Sequence, residues 1–429
     1  MNVAQRLSEF VLTAAPDAAS SDAERIMRLS LFDWAACGLA GTEEPVSRIV
    51  RATALAQGNQ GHCAIFGGAG GVTPAMAALV NGATSHALDY DDTHFAHIGH
   101  PSVAVIPAAL AVGQSGADVL WAALIGAEVS VRVGLWLGRS HYQVGFHQTA
   151  TAGAFGAAAA AGRLLGLSEA QMQVAFGVAA TQAAGLKSQF GTMGKPYHAG
   201  LAARTGVEAA FLAQAGFDTR GHGIDGPQGF GPTHHGEAND DAFESMAAAW
   251  QMETVSHKFH ACCHGLHAML DGVSSLDVSP RSIERIDVTT HPRWLSVCNI
   301  DDPASGLESK FSYRHTAALS LCGFNTSALS SYTDELAQDY VLKDMRKRVV
   351  VQADDALAET EAKVSIWADG KATTARSNLS VPLQFETRVK RLRDKAQSLL
   401  GEDTERALWK ATHGKRAPDL DALSDLMMH

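Results

Sequence analysis

The sequence has few charged side chains, and its six cysteines follow no recognisable spacing. Asp, Glu, Lys and Arg make up 18% of the 429 residues, below the roughly 25% of an average soluble protein. The cysteines form neither the CxxC pairs of zinc sites nor the dense framework of small secreted domains. This usage is typical of proteins in a reducing compartment, so we expect a cytoplasmic protein.

An excess of positive charge and long uninterrupted apolar runs are also missing. The formal net charge is −11, which argues against nucleic acid or an anionic membrane surface as the main partner. Glu128, Arg132 and Arg163 interrupt the apolar stretches before they reach the length of a transmembrane helix. The first residues lack the basic start and apolar core of a secretory signal. We therefore expect neither a nucleic-acid nor a membrane partner.

Two parts of the chain differ in their hydrophobic patterns, and 429 residues exceed the usual size of one hydrophobic core. Residues 1–254 have mostly helical spacing, with Ala- and Gly-rich stretches that let helices approach closely, and residues 382–429 return to helical spacing. Residues 255–381 combine period-two strands with helices. The sequence therefore predicts a mainly α protein: a large all-α helical domain (1–254 and 382–429) with a smaller inserted α+β lid domain (255–381).

The α+β prediction depends on four segments. Ile283–His291 alternates with period two and predicts a strand, and residues 362–379 predict a hairpin that turns at an Asp-Gly pair. Between them, Tyr313–Cys322 and Asp334–Val349 predict helices. A groove between such a domain and a helical one is a common place for an active site.

The densest group of polar side chains is the stretch 86–102, here called the histidine segment, which contains four histidines and three aspartates between two apolar runs. If its first half is helical, Asp89, Asp92 and Thr93 share one face. A glycine and a proline then stop the helix and place His100 on a loop, where it can meet a ligand. The functional interpretation is that Asp89 or Asp92 orients the His100 imidazole. The alternative is a turn whose aspartates bind only backbone N–H groups.

Three further clusters carry candidate cations or imidazoles. His147 precedes a small-residue helix, whose N-terminus favours a carboxylate; the alternative is a structural histidine. Lys195 follows a glycine-rich loop without Walker A spacing. We interpret its ammonium group as a carboxylate ligand or proton donor, the alternative being an exposed loop lysine. Lys258 and His267 flank two adjacent cysteines, Cys263 among them, in what we interpret as a proton-handling cluster.

Histidines and cysteines at short spacing also raise the question of a metal site. His94, His97 and His100 recur every third residue, and residues 257–267 contain four histidines and two cysteines. Neither group matches CxxC pairs, the HExxH motif or a facial triad. We therefore expect no metal ion.

At these clusters the sequence resembles the MmgE/PrpD family of 2-methylcitrate dehydratases, cis-aconitate decarboxylases and iminodisuccinate epimerases. The resemblance is carried by HALDYDDTH and HPS in the histidine segment, by GFH before the small-residue helix, by GKPYHAG, and by K-x-x-x-C-C-x-x-x-H at 258–267. These motifs occur in order over nearly the whole chain.

The resemblance implies a large helical domain, a smaller α+β lid, a homodimer, no organic cofactor and a site between the domains. The polar site positions that it implies are Asp89, Thr93, His100, His147, Lys195 and Lys258. A further histidine of the decarboxylase branch falls on Cys263, where the sequence is similar to the dehydratase pattern instead.

The predicted function is proton abstraction next to a carboxylate in a small di- or tricarboxylate, because such a C–H group needs a positioned base and nearby cations. The predicted catalytic residues are His100 as base or acid, Lys195, Lys258 and Asp89. The predicted substrate contacts are Thr93, His147, Asp92, Cys263 and His267. A cofactor-independent lyase of dehydratase type is the first expectation. The alternatives are a decarboxylase, an epimerase and, remotely, a non-catalytic metabolite-binding protein.

Overall fold

The computed structural model describes residues 1–16, 19–58, 61–68, 71–414 and 416–429. The chain divides into two compact units, which we call the first unit (Met1–His257 with Leu400–His429) and the second unit (Lys258–Leu399). Helices dominate the described chain, and its named strands form one four-stranded sheet. The mainly α fold class is therefore confirmed.

The amino-terminal part of the first unit is helical and packs around one central helix. Its helices are α1 (Val3–Thr13), α2 (Ser21–Ala40), α3 (Pro45–Ala56), α4 (Pro74–Ser85), α5 (Ser102–Val112), α6 (Gly116–Gln143), α7 (Gln148–Leu164), α8 (Glu169–Gln182), α9 (Gly194–Gln214) and α10 (Phe230–Thr233). Helix α7 contacts α5, α6, α8 and α9, and every residue from Gln148 to Gly162 is buried. Because most of these side chains are Ala or Gly, the neighbouring helices can approach α7 closely.

Helix α6 is long and apolar enough to cross a membrane by length and composition alone. However, 89% of its apolar window is buried inside the protein. Glu128 and Arg132 form an ion pair within this helix, with 2.6 Å between Oε1 and Nε. Gly138, with φ of +70°, interrupts the helical backbone near its end. These are properties of a core helix.

Helices α4 and α9 cross at a pair of glycines. A Cβ atom at Gly82 would lie 2.9 Å from Cα of Gly200, and one at Gly200 would lie 2.2 Å from the carbonyl oxygen of Leu79. Only glycine permits this approach without movement of the backbone. The crossing brings the carboxyl end of α4, at His86, within electrostatic reach of Lys195 in the first turn of α9.

Replacing Gly200 with alanine is expected to lower the free energy of unfolding by about 1–3 kcal/mol, because the added methyl group overpacks the crossing. Urea denaturation followed by circular dichroism measures the change. Gly221→Ala is the matched control, since a Cβ atom there meets no atom within 4 Å. If Gly200→Ala were as stable as the parent protein, α4 and α9 could accommodate the added methyl group without cost, and the crossing would not require glycine at this position.

The second unit contains one mixed sheet of strands β1 (Ile283–Thr290), β2 (Val349–Ala353), β3 (Glu361–Ala368) and β4 (Lys371–Asn378). The strand order is β2-β1-β3-β4, with β1 parallel to β2 and the other pairs antiparallel. Asp369 and Gly370 turn the β3–β4 hairpin with positive φ angles, as two-residue hairpin turns require. The predicted strand and hairpin are therefore confirmed.

The helices of the second unit are short, apart from the last. They are α11 (His267–Ser274), α12 (Arg293–Val297), α13 (Gly306–Ser309), α14 (Tyr313–Leu321), α15 (Asp334–Gln338), α16 (Tyr340–Arg346) and α17 (Phe385–Leu400). Helix α11 packs on β3 and β4, and α14 packs on α11, α16 and β2. The chain ends with α18 (Glu402–Thr412) and α19 (Leu420–Met428) in the first unit.

The single helix predicted over 334–349 is wrong in part. Residues 334–346 form α15 and α16, which meet at Asp339, and Val349 begins β2. The run Val349–Val351 is β-branched, a composition that favours strands, and it pairs in parallel with Ile286–Val288 of β1. The helical pattern of residues 334–346 comes directly before this strand, so the sequence pattern did not indicate where the helix ends and the strand begins.

The second unit extends past residue 381, the boundary predicted for the α+β domain, because α17 belongs to it up to Leu399. Arg391 of α17 binds Asp271 of α11, with 2.7 Å between Nη2 and Oδ1. The guanidinium carbon of Arg391 also lies 4.1 Å from the ring centroid of Phe259. These contacts join α17 to the start of the second unit.

Candidate active site

The histidine segment leaves the helical path at its first residue. Helix α4 ends at Ser85, and His86 caps it. Asp89 and Ile98 have φ angles of +49° and +55°, in the left-handed region. The first half of the segment is therefore not helical, and the shared face of Asp89, Asp92 and Thr93 does not form, because left-handed backbone at Asp89 cannot continue a right-handed helix. Aspartate is among the residues that tolerate this conformation.

A buried carboxylate, Asp91, holds two imidazoles in this segment. Its Oδ1 lies 2.7 Å from Nδ1 of His86, and its Oδ2 lies 2.9 Å from Nδ1 of His100. The three side chains are buried, with His86, Asp91 and His100 exposed by 0%, 2% and 9%. An ionised carboxylate only accepts hydrogen bonds, so both Nδ1 atoms donate, and both Nε2 atoms point away from Asp91.

Asp89 lies on the other side of His100 and connects it to a lysine. Its Oδ1 is 3.3 Å from Nε2 of His100, and its Oδ2 is 2.5 Å from Nζ of Lys195. The Asp89 side chain is 38% exposed and that of Lys195 is 17% exposed. The site therefore runs from fully buried Asp91, through His100, to a carboxylate and an ammonium group that solvent can reach.

Both ring nitrogens of His100 face carboxylate oxygens, and only an imidazolium can donate to both. Burial lowers the pKa of His100, but the charges of Asp91 and Asp89 outweigh burial and hold this pKa above its ordinary value. Burial raises the pKa of Asp91, yet His100 and His86 bring it well below its ordinary range. Asp91 and Asp89 thus favour the imidazolium form of His100, which has a proton to donate.

Neutral imidazoles lie next to this charged one. His147 is the N-cap residue of α7, and its Nδ1 is 3.2 Å from Nδ1 of His198. Burial and then the positive charge of Lys195 lower the pKa of His147 well below its ordinary value. Burial also lowers the pKa of His86. The site therefore combines a proton donor, His100, with neutral His147, which can accept a proton, a separation typical of acid–base pairs.

Asp92 and Thr93 bind other parts of the fold. Oδ2 of Asp92 accepts a 2.5 Å hydrogen bond from the hydroxyl of Ser102, the first residue of α5, and burial raises the pKa of Asp92. The Thr93 N–H and hydroxyl both donate to the carbonyl of Ser256, at 2.8 and 3.3 Å. Asp92 therefore anchors α5, and the orienting contact proposed for it belongs to Asp91. Substrate contacts of Asp92 and Thr93 stay predictions.

The second unit contains Lys258 and the adjacent cysteines. Lys258 is 3% exposed. Burial raises the pKa of the Cys262 thiol to about 12, with Lys258 among the groups that oppose this rise. Cys263 is half-buried, and its N–H donates to the carbonyl of Lys310 at 2.9 Å. The catalytic role of Lys258 and the substrate contact of Cys263 stay predictions.

His267 is part of a group of imidazoles in the second unit. Its ring centroid lies 4.7 Å from that of His264 and 5.0 Å from that of His260. Burial lowers the pKa of His267 well below its ordinary value, so the ring is neutral. His260 is held by Asp271, with 3.3 Å between Nε2 and Oδ1. The predicted substrate contact of His267 also stays a prediction.

The sequence interpretation missed Asp91, although it lies in the predicted segment. A helical template places residue 91 on the face opposite Asp89, since two residues advance a helix by about 200°. Thr149 was also overlooked; its Oγ1 accepts the backbone N–H of His100 at 3.0 Å. The available signal was the non-helical spacing, with Asp91 five residues after His86 and nine before His100.

The chain is similar to several known proteins over most of its length. A cis-aconitate decarboxylase of Aspergillus terreus is 27% identical over 371 residues, covering 79% of this chain and 71% of the relative. The human cis-aconitate decarboxylase is 28% identical over 382 residues, covering 82% and 78%. A cis-aconitate decarboxylase-like protein of Aspergillus oryzae is 29% identical over 296 residues, covering 64% and 61%.

The family comparison covers most of both units. Residues 5–242 match the MmgE/PrpD N-terminal domain, and residues 260–409 match the MmgE/PrpD C-terminal domain. The N-terminal match precedes the C-terminal match along the chain. The chain belongs to the MmgE/PrpD family.

Proposed function

We propose that this chain is a cofactor-independent lyase that acts on a small di- or tricarboxylate by moving a proton at a carbon next to a carboxylate. The observation that carries the proposal is the connected series Asp91–His100–Asp89–Lys195. It places a buried imidazolium between two carboxylates and ends in an ammonium group at the solvent-accessible edge. The cis-aconitate decarboxylases among the relatives support a tricarboxylate as substrate.

The proposed chemistry follows from the charges of these groups. A carbanion next to a carboxylate develops negative charge, which the imidazolium of His100, held in a poorly solvated site, stabilises. The Lys195 ammonium binds a substrate carboxylate, which takes over part of the contact with Asp89. His100 donates a proton from Nε2, and the neutral imidazole of His147 accepts one. Asp91 keeps the His100 ring in one orientation throughout.

Two bond-breaking steps fit this site. In dehydration, a base removes the proton next to the carboxylate, the β-hydroxyl leaves, and His100 protonates it to water. In decarboxylation, the substrate releases CO2 and His100 donates its proton to the carbon that gains the electron pair. Cys263 in place of the histidine implied for decarboxylases favours dehydration. The relatives named above favour decarboxylation as the second candidate.

A substrate panel tests the proposal. Purified protein is incubated with 2-methylcitrate, citrate, cis-aconitate and iminodisuccinate in D2O, and products are followed by NMR, with a separate assay of released CO2. A dehydratase forms an unsaturated acid without CO2, a decarboxylase releases CO2, and an epimerase exchanges the proton and inverts the centre. If the protein binds one of these acids but neither exchanges its protons nor converts it, the lyase proposal is wrong and the chain is a metabolite-binding protein.

Lys195→Ala is expected to raise KM by about 10–100-fold with kcat nearly unchanged, because a charge-assisted hydrogen bond to the substrate carboxylate is lost. Steady-state kinetics on the substrate that the panel identifies measures both constants. Lys187→Ala is the control, since that lysine binds the carbonyl of Tyr142 at 3.0 Å. A loss of kcat at constant KM would assign proton transfer to Lys195 instead.

A homodimer is part of the proposal, and one exposed face of α9 supports it. Tyr197 and Phe211 are 38% and 37% exposed on this face. Between them lie Arg204 and Glu208, which are paired at 2.8 Å and still 38% and 32% exposed. All four positions fall within about 60° around the helix. When two copies of α9 pack antiparallel about a two-fold axis, Arg204 of one copy lies opposite the partner's Glu208. Tyr197 and Phe211 then lie toward the two ends of the interface.

Arg204→Glu is therefore expected to weaken the dimer at least about 10-fold, because like charges then oppose each other across the axis. The double variant Arg204→Glu/Glu208→Arg restores the opposite-charge pairs and the dimer. Sedimentation velocity over a range of protein concentrations measures the change. Arg406→Glu, at an exposed ion pair of α18, is the control. If the parent protein sediments as a monomer, or if Arg204→Glu leaves the dimer unchanged, this face of α9 is not the dimer interface.

The cytoplasmic location stays a prediction from cysteine usage.

A further inference from the structure

Three potential metal ligands converge in the histidine segment. A ring nitrogen of His86, a carboxylate oxygen of Asp89 and a ring nitrogen of His100 all lie within 4.8 Å of one another. Two imidazoles and one carboxylate are a ligand set that binds divalent transition metals and leaves positions open for water or substrate. The sequence did not indicate this group, because its spacing matches none of the common metal motifs.

His86 supplies an independent observation. The residue is buried, and its Nε2 has no hydrogen-bond partner among the residues that the structure describes. A buried nitrogen without a hydrogen-bond partner is energetically unfavourable, so a group that binds this lone pair gains affinity. His86 has no place in the proposed proton transfer, and the proposed lyase chemistry therefore leaves this lone pair unexplained.

Asp91 gives the two imidazoles the support that metal-binding histidines have. Its two oxygens accept from Nδ1 of His86 and Nδ1 of His100, at 2.7 and 2.9 Å. A carboxylate in this position fixes the tautomer with the lone pair on Nε2 and raises the basicity of the ring. For His86 this lone pair already exists, whereas His100 has to release its Nε2 proton before it binds a metal ion.

We propose that His86, Asp89 and His100 form an inhibitory site for a divalent metal ion of the Zn²⁺ type. The ion binds both Nε2 atoms and a carboxylate oxygen of Asp89, displaces the Lys195 ammonium from Asp89, and releases the Nε2 proton of His100 to solvent. Ligand atoms in a tetrahedral zinc site are about 3.4 Å apart, given bonds of about 2.1 Å. The three side chains therefore move together by up to about 1.5 Å when the ion binds.

The expected consequence is loss of turnover. The ion occupies the nitrogen from which His100 donates its proton, and it separates Lys195 from its position beside Asp89. This inhibition rests on the proposed lyase function, whereas binding of the ion does not. The experiment therefore measures binding separately from activity.

The binding test uses Co²⁺, whose visible absorption reports a four- or five-coordinate site with nitrogen ligands. Titration of the full-length protein is expected to saturate at one Co²⁺ per chain, and Zn²⁺ is expected to displace it. His86→Asn retains an amide N–H toward Asp91 but has no Nε2, and should weaken binding by at least about 100-fold. Asp91→Asn should weaken it by about 10–100-fold, the range typical of groups that support a metal ligand.

His235→Asn is the control for adventitious binding, since His235 is exposed. Circular dichroism verifies that each variant is folded, and His86→Gln serves as a second variant. Absence of a saturable one-to-one site, or equal Co²⁺ affinity of parent and His86→Asn, would overturn the metal site whatever the enzyme's activity. On an active preparation, Zn²⁺ should lower turnover and a chelator should restore it. Stimulation by Zn²⁺ would overturn the inhibitory role.

Discussion

Replacing His100 with asparagine is expected to lower kcat by about 10²–10⁴-fold, the usual contribution of a positioned acid or base. The asparagine amide can still donate to Asp91 in the place of Nδ1, so the buried carboxylate keeps a partner. What is removed is the Nε2 proton that faces Asp89 and the substrate. Steady-state kinetics on the substrate that the panel identifies gives kcat, and circular dichroism and urea denaturation verify the fold.

The matched control for this experiment is His235→Asn, which makes the same chemical change at an exposed position. Its kcat should equal that of the parent protein. A second variant, His100→Gln, places an amide group near the position of Nε2 but cannot ionise, and should be nearly as impaired. Turnover within about three-fold of the parent in His100→Asn would remove His100 from the mechanism.

Asp91→Asn is expected to lower kcat by about 10²-fold or more, although Asp91 touches no substrate in the proposed mechanism. The change leaves an uncharged amide between His86 and His100, which no longer fixes both tautomers. A comparable loss of imidazole orientation in serine proteases lowers kcat by about 10⁴-fold. The same assay measures kcat, and KM should change much less because no substrate contact is lost.

The pH profile separates this role from a merely structural one. Asp91 raises the pKa of His100 in the folded protein, so Asp91→Asn lowers that pKa. Turnover that depends on protonated His100 is lost as pH rises through this pKa, and the alkaline limb of the kcat profile should therefore move to lower pH. If kcat falls but the alkaline limb of its pH profile does not move, Asp91 only supports the fold and does not set the pKa of His100. Asp225→Asn is the control, because it makes the same chemical change at another carboxylate of the first unit. Asp225 accepts the N–H of Val3 and contacts no residue of the histidine segment through this bond.

The helical framework and the sheet could be predicted because each depends on a repeating pattern. Alanine- and glycine-rich stretches such as α7 have a helical period, and β1 and the β3–β4 hairpin have a period of two with an Asp-Gly turn. The change from helix to strand before Val349 was missed because the strand is short. Short strands become recognisable only through the neighbour they pair with, here β1.

The site residues could be predicted as a group, but their contacts could not. His100, Asp89 and Lys195 were expected to act together, and the structure joins them in one series of ion pairs. Of the two carboxylates expected to orient His100, Asp89 contacts it and Asp92 binds Ser102 instead. Which carboxylate reaches an imidazole depends on the backbone angles of a short irregular segment, and no periodic pattern encodes these angles.

The left-handed backbone at Asp89 determines how this carboxylate can be studied by mutation. Most side chains are disfavoured at a φ of +49°, so a substitution such as Asp89→Ala changes the path of the chain and the charge together. Asparagine is the other common residue that accepts this conformation. Asp89→Asn is thus the informative substitution at this position: any change in substrate affinity reports the missing negative charge, and not a rearranged turn.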